Sequence, residues 1–425
     1  MSDDESRPDW ESQKSAIRPD ESRKGGDSAG QDPHSVEVST LSVLRRGLFY
    51  AAFPLFFLNF ALPVQARDLG GSAVEIGGLF TLFTISVLLL RPFVGIGLDS
   101  YGRRPFVLAA LAFYVVAYGL FAQADGIIAM YVARFLQGFA AAFMILAVDT
   151  ITADSTTEET RSSELGRNIE THTRGSIVGA TIGFTLIGAM PLIAWSLSFV
   201  IFAVAVLVAL ALVWRGLPET LPVESRYAGS HKLLDVQIVV RGPLQRLMLI
   251  LLISAFAGAL VQPIYLIYLQ DRFDLPMGVL AWAFLPSAFI FALLPSRLGK
   301  LDQRWGAVNL LCVGFLTAGI TYLLLPFIDQ FIGLVIVYTI SAIGAAMSEP
   351  ARKTLTVRYG DQGAVGRTLG ISELYAGIGG ALGPLVGGLL YDTFNPSVAF
   401  LANGVLMLLA ALIARVVLRE QSESS

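Results

Sequence analysis

The stretch VGIGLDSYGRRPF, residues 94–106, puts Gly95, Asp99, Gly102, Arg103 and Arg104 into one tight connection between two apolar runs. Each flanking run has about 20 residues, the length that carries a helix across a bilayer core. Working outward, the chain shows twelve such runs: roughly 46–66, 75–98, 105–124, 126–150, 164–189, 193–214, 246–269, 277–299, 306–326, 330–351, 365–391 and 396–418. The connections are short and polar, except one near 215–245. The ten-residue alternation of an outer-membrane barrel is absent, so the fold class expected is an all-α polytopic membrane protein. Composition agrees: of 425 residues, 54% are hydrophobic and only 15% charged, against about a quarter charged in soluble domains. Residues 1–42 are acidic, Ser-rich and poor in apolar residues. They are expected to form a disordered cytoplasmic tail and not a signal peptide.

Positive charge is distributed unevenly between alternate loops. One set holds Arg45, Arg46, Arg103, Arg104, Arg161, Arg167, Arg215, Arg226, Lys232, Arg241, Arg246, Arg297, Lys300, Arg304, Arg352, Lys353, Arg358, Arg367 and Arg419; the other holds little beyond Arg67 and Arg272. Lys and Arg in short loops mark the cytoplasmic side, which would place both termini and the central loop there, in a plasma (inner) membrane. A net charge of −3 gives no reason to expect a nucleic-acid partner. Cys312 stands alone, and His34, His172 and His231 lie far apart, so neither a disulfide framework, a metal site nor a cofactor is implied.

The glycines reveal a repeat. LGRNIETHTRGSIVGATIG (165–183) aligns without a gap on LGISELYAGIGGALGPLVG (369–387), matching Gly175, Gly179 and Gly183 to Gly379, Gly383 and Gly387. The same offset of 204 residues pairs Gly95 with Gly299, Gly102 with Gly306, and Arg215 with Arg419. The chain therefore reads as two six-helix halves, 43–215 and 246–419, joined by a cytoplasmic linker, 216–245, and followed by a short tail, 420–425. Six is even, so both halves enter from the same side: a parallel repeat about an axis along the membrane normal, enclosing a site between halves that can rock.

Gly95-xxx-Asp99-xx-Gly102-Arg103-Arg104, lying between spans 2 and 3, resembles the signature loop of the major facilitator superfamily. Arg134-Phe-Leu-Gln137-Gly138 on span 4 is similar to that family's second motif, and Pro218-Glu219-Thr220 after span 6 to its PET turn. The resemblance covers residues 45–420. It implies a secondary transporter in which spans 1, 4, 7 and 10 line the cavity. Physically, Gly95 and Gly102 permit close helix approach and a tight turn. Asp99 can accept hydrogen bonds from a helix N-terminus in the other half, which the resemblance places on span 11. Arg103 and Arg104 can pair with Glu219 or Asp149. The stretch then acts as a latch that closes the cytoplasmic face. On span 5, Ala180 and Phe184 replace the proline and last glycine of the family's antiporter pattern, which is complete on span 11 instead (Gly379, Gly383, Pro384, Gly387, Gly388).

A charge at mid-helix costs roughly 2.5–3.5 kcal/mol on insertion scales, so charges inside spans need a reason. Glu170 or Glu373 could carry a proton, with Arg134 and Gln137 setting its affinity or contacting substrate; the structural alternative pairs Glu170 with Arg174 one turn on. Asn59 and Gln65 on span 1, and Gln262 and Tyr265 on span 7, are further substrate candidates. The function expected is alternating-access transport of a small organic solute, proton-coupled and leaning to efflux, by a functional monomer in the lipid bilayer. Proton-coupled import of a sugar or organic acid is one alternative, and a non-transporting sensor of the same fold another. No nucleophile–base pair or Asp-rich metal motif suggests an enzyme.

Overall fold

The computed structural model describes residues 33–221, residues 242–290 apart from 274, 276–278, 281–282, 285 and 288, and residues 302–360 and 365–419. The described chain is helical nearly throughout. The first half contains α1 (Pro33–Ala51), α2 (Pro54–Asp68), α3 (Ala73–Tyr101), α4 (Arg104–Ala122), α5 (Ile127–Asp154), α6 (Glu158–Ala189) and α7 (Ala194–Gly216). The second contains α8 (Pro243–Val261), α9 (Ile264–Phe273), a single turn at Asp302–Trp305, α10 (Ala307–Leu324), α11 (Phe331–Tyr359), α12 (Val365–Thr393) and α13 (Pro396–Arg419).

Ten spans among the described residues are long and apolar enough to cross a membrane. The first joins α1 to α2, and another joins α8 to α9. Each is interrupted next to a proline, Pro54 or Pro263, because proline has no N–H to continue the helix ladder. Of the twelve expected spans, the fifth is α6, whose first turns carry too many polar residues to count. The eighth, 277–299, lies largely outside the described residues. The helix starts earlier than expected: α1 begins at Pro33, so residues 33–42 are not part of an unstructured tail. Proline at a first helical position needs no hydrogen-bond partner, and Leu41 and Leu44 are already buried. Residues 1–32, 222–241 and 420–425 lie outside the described residues, and with them the tails and most of the linker.

Large apolar side chains are exposed along the outside, as on α7 (Val200, Val204, Leu207) and α13 (Val405, Leu409, Leu412). Such a surface suits lipid rather than water.

The repeat is built into the packing. On α6, a Cβ at Gly175 or Gly179 would collide with the carbonyl oxygens of Phe49 and Phe53, and one at Gly183 with the Phe57 ring. On α12, a Cβ at Gly379, Gly383 or Gly387 would collide with the carbonyl oxygens of Leu252, Phe256 and Leu260 on α8. Small residues let backbones approach where helix association cannot draw on water exclusion. Span 5 thus packs on span 1 as span 11 packs on span 7.

The halves meet along α3 and α12, which run antiparallel. Gly388 abuts the Ala73 carbonyl and Gly77 the Pro384 carbonyl. The Thr81 hydroxyl donates to the Ala381 carbonyl at 2.6 Å, and a Cβ at Gly377 would meet Leu88 at 2.8 Å. Toward the end that carries Asp99, by contrast, Leu89 and Phe93 of α3 and Leu374 of α12 are exposed.

Gly387→Ala should destabilise the protein by about 1–3 kcal/mol through overpacking, whereas Gly380→Ala, with open space at its Cβ, should not. Thermal unfolding of the purified proteins in detergent checks this; equal melting temperatures would remove the close-packing argument.

Candidate functional site

At the end of α3, Gly102 adopts φ +101°, a conformation that only glycine takes cheaply. This turn presents the backbone N–H groups of Arg103 and Arg104 to one carboxylate, Glu219, at 2.8 and 3.1 Å. Glu219 also accepts from the Leu221 N–H at 3.0 Å. The expected link between the arginines and Glu219 therefore exists, but it runs through main chain and not through guanidinium groups.

The Arg103 side chain is 9% exposed. Its guanidinium donates to the Leu98 carbonyl at 2.8 Å and to Asp154 at 3.1 Å, and lies 3.3 Å from Asp99. The Thr220 hydroxyl donates to Asp154 at 2.9 Å, and Arg104 donates to the Trp214 carbonyl at 2.6 Å. Asp149, expected as an arginine partner in this turn, is not one: Asp154, five residues further along α5, takes that place, and Asp149 feels the charge of Arg91 on α3 instead. Helix rise explains the substitution, since five residues shift a side chain about 7.5 Å along the axis. Asp99 is 63% exposed and pairs with Arg103, four residues on, just past the Gly102 turn, not with the start of α12. Gly95 has open space where a Cβ would stand, so the close approach expected there is absent in this conformation.

The other end of the seam is bonded shut. Asp392, at the end of α12, accepts from the N–H groups of Ala73 and Val74 at 3.1 and 2.8 Å. A carboxylate at a helix N-terminus satisfies free donors and complements the helix dipole. Ser72 completes the cap in a reciprocal box with Glu75. Beside it, Arg67 of the first half lies 3.4 Å from Asp271 of the second, which also accepts from the Tyr391 hydroxyl at 2.9 Å. Deeper, the rings of Phe60 and Phe284 meet across the halves at 4.5 Å.

Within the first half, Arg134 is 4% exposed. It donates to Gln137 at 2.8 Å and lies over the rings of Phe80 and Phe83, 4.9 and 5.3 Å from their centroids. Its Nε has no partner among the described residues. No carboxylate among the described residues pairs with Arg134, so it does not bear on Glu170 or Glu373 in this conformation. Glu170 is exposed and bonded to Arg174 at 2.5 Å, the structural arrangement. Glu373 pairs across helices with Arg352 of α11 at 3.2 Å, and Arg352 is also bound to Glu349 at 2.8 Å. Asn59 and Gln65 are half-buried on α2, and Gln262 is exposed at the α8–α9 break. Tyr265 is buried and stacked on Tyr338 at 4.3 Å, its hydroxyl unpartnered among the described residues.

Three residues outside the expected set make these contacts, Asp154, Asp392 and Asp271, and a fourth, Arg91, acts on Asp149 through its charge alone. Arg91 carried the plainest signal, a charge inside the apolar run LLLRPF. Asp392 follows the glycines of span 11, but its partners lie more than 300 residues away, beyond any spacing rule.

The family model of the Major Facilitator Superfamily matches residues 47–331 and, in an overlapping second match, 247–425. The chain belongs to the major facilitator superfamily. It is a multi-pass membrane transporter and not an enzyme. Multidrug resistance protein 1 of Bacillus subtilis (strain 168) is 25% identical over 362 residues, covering 83% of this chain and 90% of that one. The class G tetracycline resistance protein of Vibrio anguillarum is 29% identical over 340 residues, 76% and 83% of the two chains. Among solved structures, an inward-facing, unoccupied bacterial homolog of the human lysosomal transporter Spinster superposes with a TM-score of 0.70 at 15% identity, covering 92% of this chain and 99% of the other. That likeness establishes the shared fold.

Glu219→Ala should lower stability measurably, because each buried N–H left unpaired costs about 1–3 kcal/mol. Thr220→Val, losing one bond at an exposed position, should change it little. Melting temperatures of the two variants decide; an unchanged Glu219→Ala would mean that the turn holds without its carboxylate.

Proposed function

We propose that this transporter exports small amphipathic organic solutes across the plasma membrane in exchange for protons, by alternating access, as a monomer with both termini in the cytoplasm. The observation that carries the reading is the one-sided closure of the halves. Asp392, Asp271 and the α3–α12 seam join them at one end, while Asp99 at the other end has no partner in the second half among the described residues. Two rigid glycine-packed halves joined at one end are one of the two positions that rocking requires. The arginine asymmetry of the loops supports assigning the unbridged end to the cytoplasm, so the conformation is inward-open. Asp99 and the start of α12 then form the latch that closes when the transporter turns outward.

Export is supported by relatives named for multidrug and tetracycline resistance, which this chain matches over most of its length. An amphipathic substrate suits a transporter whose candidate residues combine the stacked Tyr265 and Tyr338 and the Phe60–Phe284 contact with the polar Asn59 and Gln65 on α2 and Gln262 at the α8–α9 break. For coupling, Glu373 is the carboxylate best placed. Its cationic partner sits on another helix, so movement can change the contact and with it the proton affinity. Glu170 keeps Arg174 in any conformation.

In proteoliposomes, a panel of amphipathic aromatic dyes should show counterflow and pH-driven accumulation with the wild type. Glu373→Gln should lose the accumulation and keep the counterflow. Accumulation by Glu373→Gln under a pH difference alone would remove Glu373 from the coupling role, and an absence of counterflow by the wild type for every solute tried would count against transport of this class.

Asp99→Asn should shift the population toward the inward-open state and slow transport. Thiol labelling of a cysteine placed at the cytoplasmic mouth would then rise; unchanged labelling together with full activity would exclude the latch.

A further inference from the structure

Arg91 presents a physical anomaly. It sits inside α3, half-buried with its Nε fully buried and unpartnered, and no hydrogen bond or ion pair reaches it among the described residues. The carboxylate whose charge it feels, Asp149 on α5, forms no ion pair with it. An arginine in a membrane span is costly unless paired, so an unpaired one calls for a partner in another conformation.

The seam supplies the address. Along the antiparallel α3–α12 contact, 73 faces 388, 77 faces 384, 81 faces 381 and 88 faces 377. One turn further, the same register brings 91–92 opposite 373–374. Arg91 follows Leu88 by three residues and precedes Gly95 by four, so it shares their helical stripe; Glu373 precedes Gly377 by four and follows Gly370 by three. Both therefore lie on the facing stripes. A second observation concerns glycine. Gly77, Gly377 and Gly388, on the closed part of the seam, each have a neighbouring atom where a Cβ would stand. Gly95 and Gly370, which the register places opposite one another, have open space there. Their lack of side chains serves no contact in this conformation.

We infer that in the outward-open state the seam closes at the end now parted. Gly95 and Gly370 then come into backbone contact, and Glu373 exchanges its present partner, Arg352, for Arg91. Arg91 is thus a positioning residue that acts through Glu373. It supplies the outward-state cation opposite that carboxylate, as Arg352 supplies the present one. The other charges around the exchange are Asp149 on the first half and Glu349 and Lys353 on α11, of which Glu349 keeps Arg352 neutralised after Glu373 departs. The inference rests on the alternating-access reading and deepens it by naming the partner.

Two measurements test it in full-length protein. Arg91→Glu and Glu373→Arg each place like charges across the seam and should each slow counterflow about tenfold, while the double exchange should recover most of the loss. Counterflow needs no pH gradient, so it reads the gate apart from coupling. A double variant no faster than either single would overturn the pairing. Independently of any substrate, R91C with E373C in a C312A background should form an intramolecular disulfide under a mild oxidant, seen by mass spectrometry after proteolysis. Free thiols at both positions, in a background where the C312A parent still performs counterflow, would overturn the inference while leaving transport intact. Absent counterflow in that parent would instead count against the transport reading, and the disulfide would still report on the seam. Gly95→Leu guards against misfolding of the charge variants: it should fold, because space is open now, yet block counterflow. Full counterflow by Gly95→Leu would show that the seam does not close there.

Discussion

A guanidinium inside a bilayer has no water to fall back on, and that constraint organises this molecule. Three arginines within the spans or at their ends are each met by a different device, and a fourth, Arg91, has no hydrogen-bond partner for its Nε among the described residues. Arg103 is neutralised by Asp154 and Asp99 and tied to a main-chain carbonyl. Arg134 has an amide oxygen and the faces of two phenylalanine rings, which stabilise a cation without fixing a carboxylate beside it. Arg352 is shared between Glu349 and Glu373. The first two arrangements lie wholly within one half and would travel with it as a rigid unit, whereas the Arg352–Glu373 contact joins two helices that border the interface.

Glycine sets the second level of organisation. Where α6 lies on α1 and α2, and α12 on α8, the backbones approach so closely that no side chain fits between them. Each half is therefore stiff. Motion is concentrated where the halves touch, along α3 and α12, and these two helices carry a carboxylate at opposite ends of their contact. Asp392 caps the first turn of α3 at the closed end, and Asp99 stands at the other end of α3, on the side where α12 begins. A helix N-terminus and a carboxylate form a bond of modest strength, about 0.3–1 kcal/mol when exposed and up to ~2 kcal/mol when partly buried. Bonds of that size can favour one position of the halves without locking it, which suits a transporter that must visit both.

Much of this was legible in the residues. The spans follow from apolar run length, and the division into halves from a single numerical offset that recurs along the chain. The family follows from the loop at 95–104 together with the turn at 218–220. The glycines of α6 and α12 stood out in the sequence as a repeat, whereas the backbones they pack against came only from the structure. The partners of the charges were less legible. Asp149 and Asp154 lie on the same helix and are chemically identical, and the sequence could not say which stood level with Arg103. That depends on the relative height of α3 and α5, which is set by packing.

What the sequence determined by itself is what depends on distance along one helix: the length of a span, the face on which a residue lies, the i,i+4 pairing of Glu170 with Arg174, and the glycine demanded by the turn at 102. Tertiary structure alone decided what depends on distance between helices: that Asp392 meets Ala73 and Val74, that Arg352 holds Glu373, and that Arg91 is left without a partner. The reason is energetic as well as geometric. The burial that makes each span runs to many kcal/mol and is written in local composition. The choice between one end of the seam and the other rests on a few bonds of about 1 kcal/mol each, made between residues hundreds of positions apart.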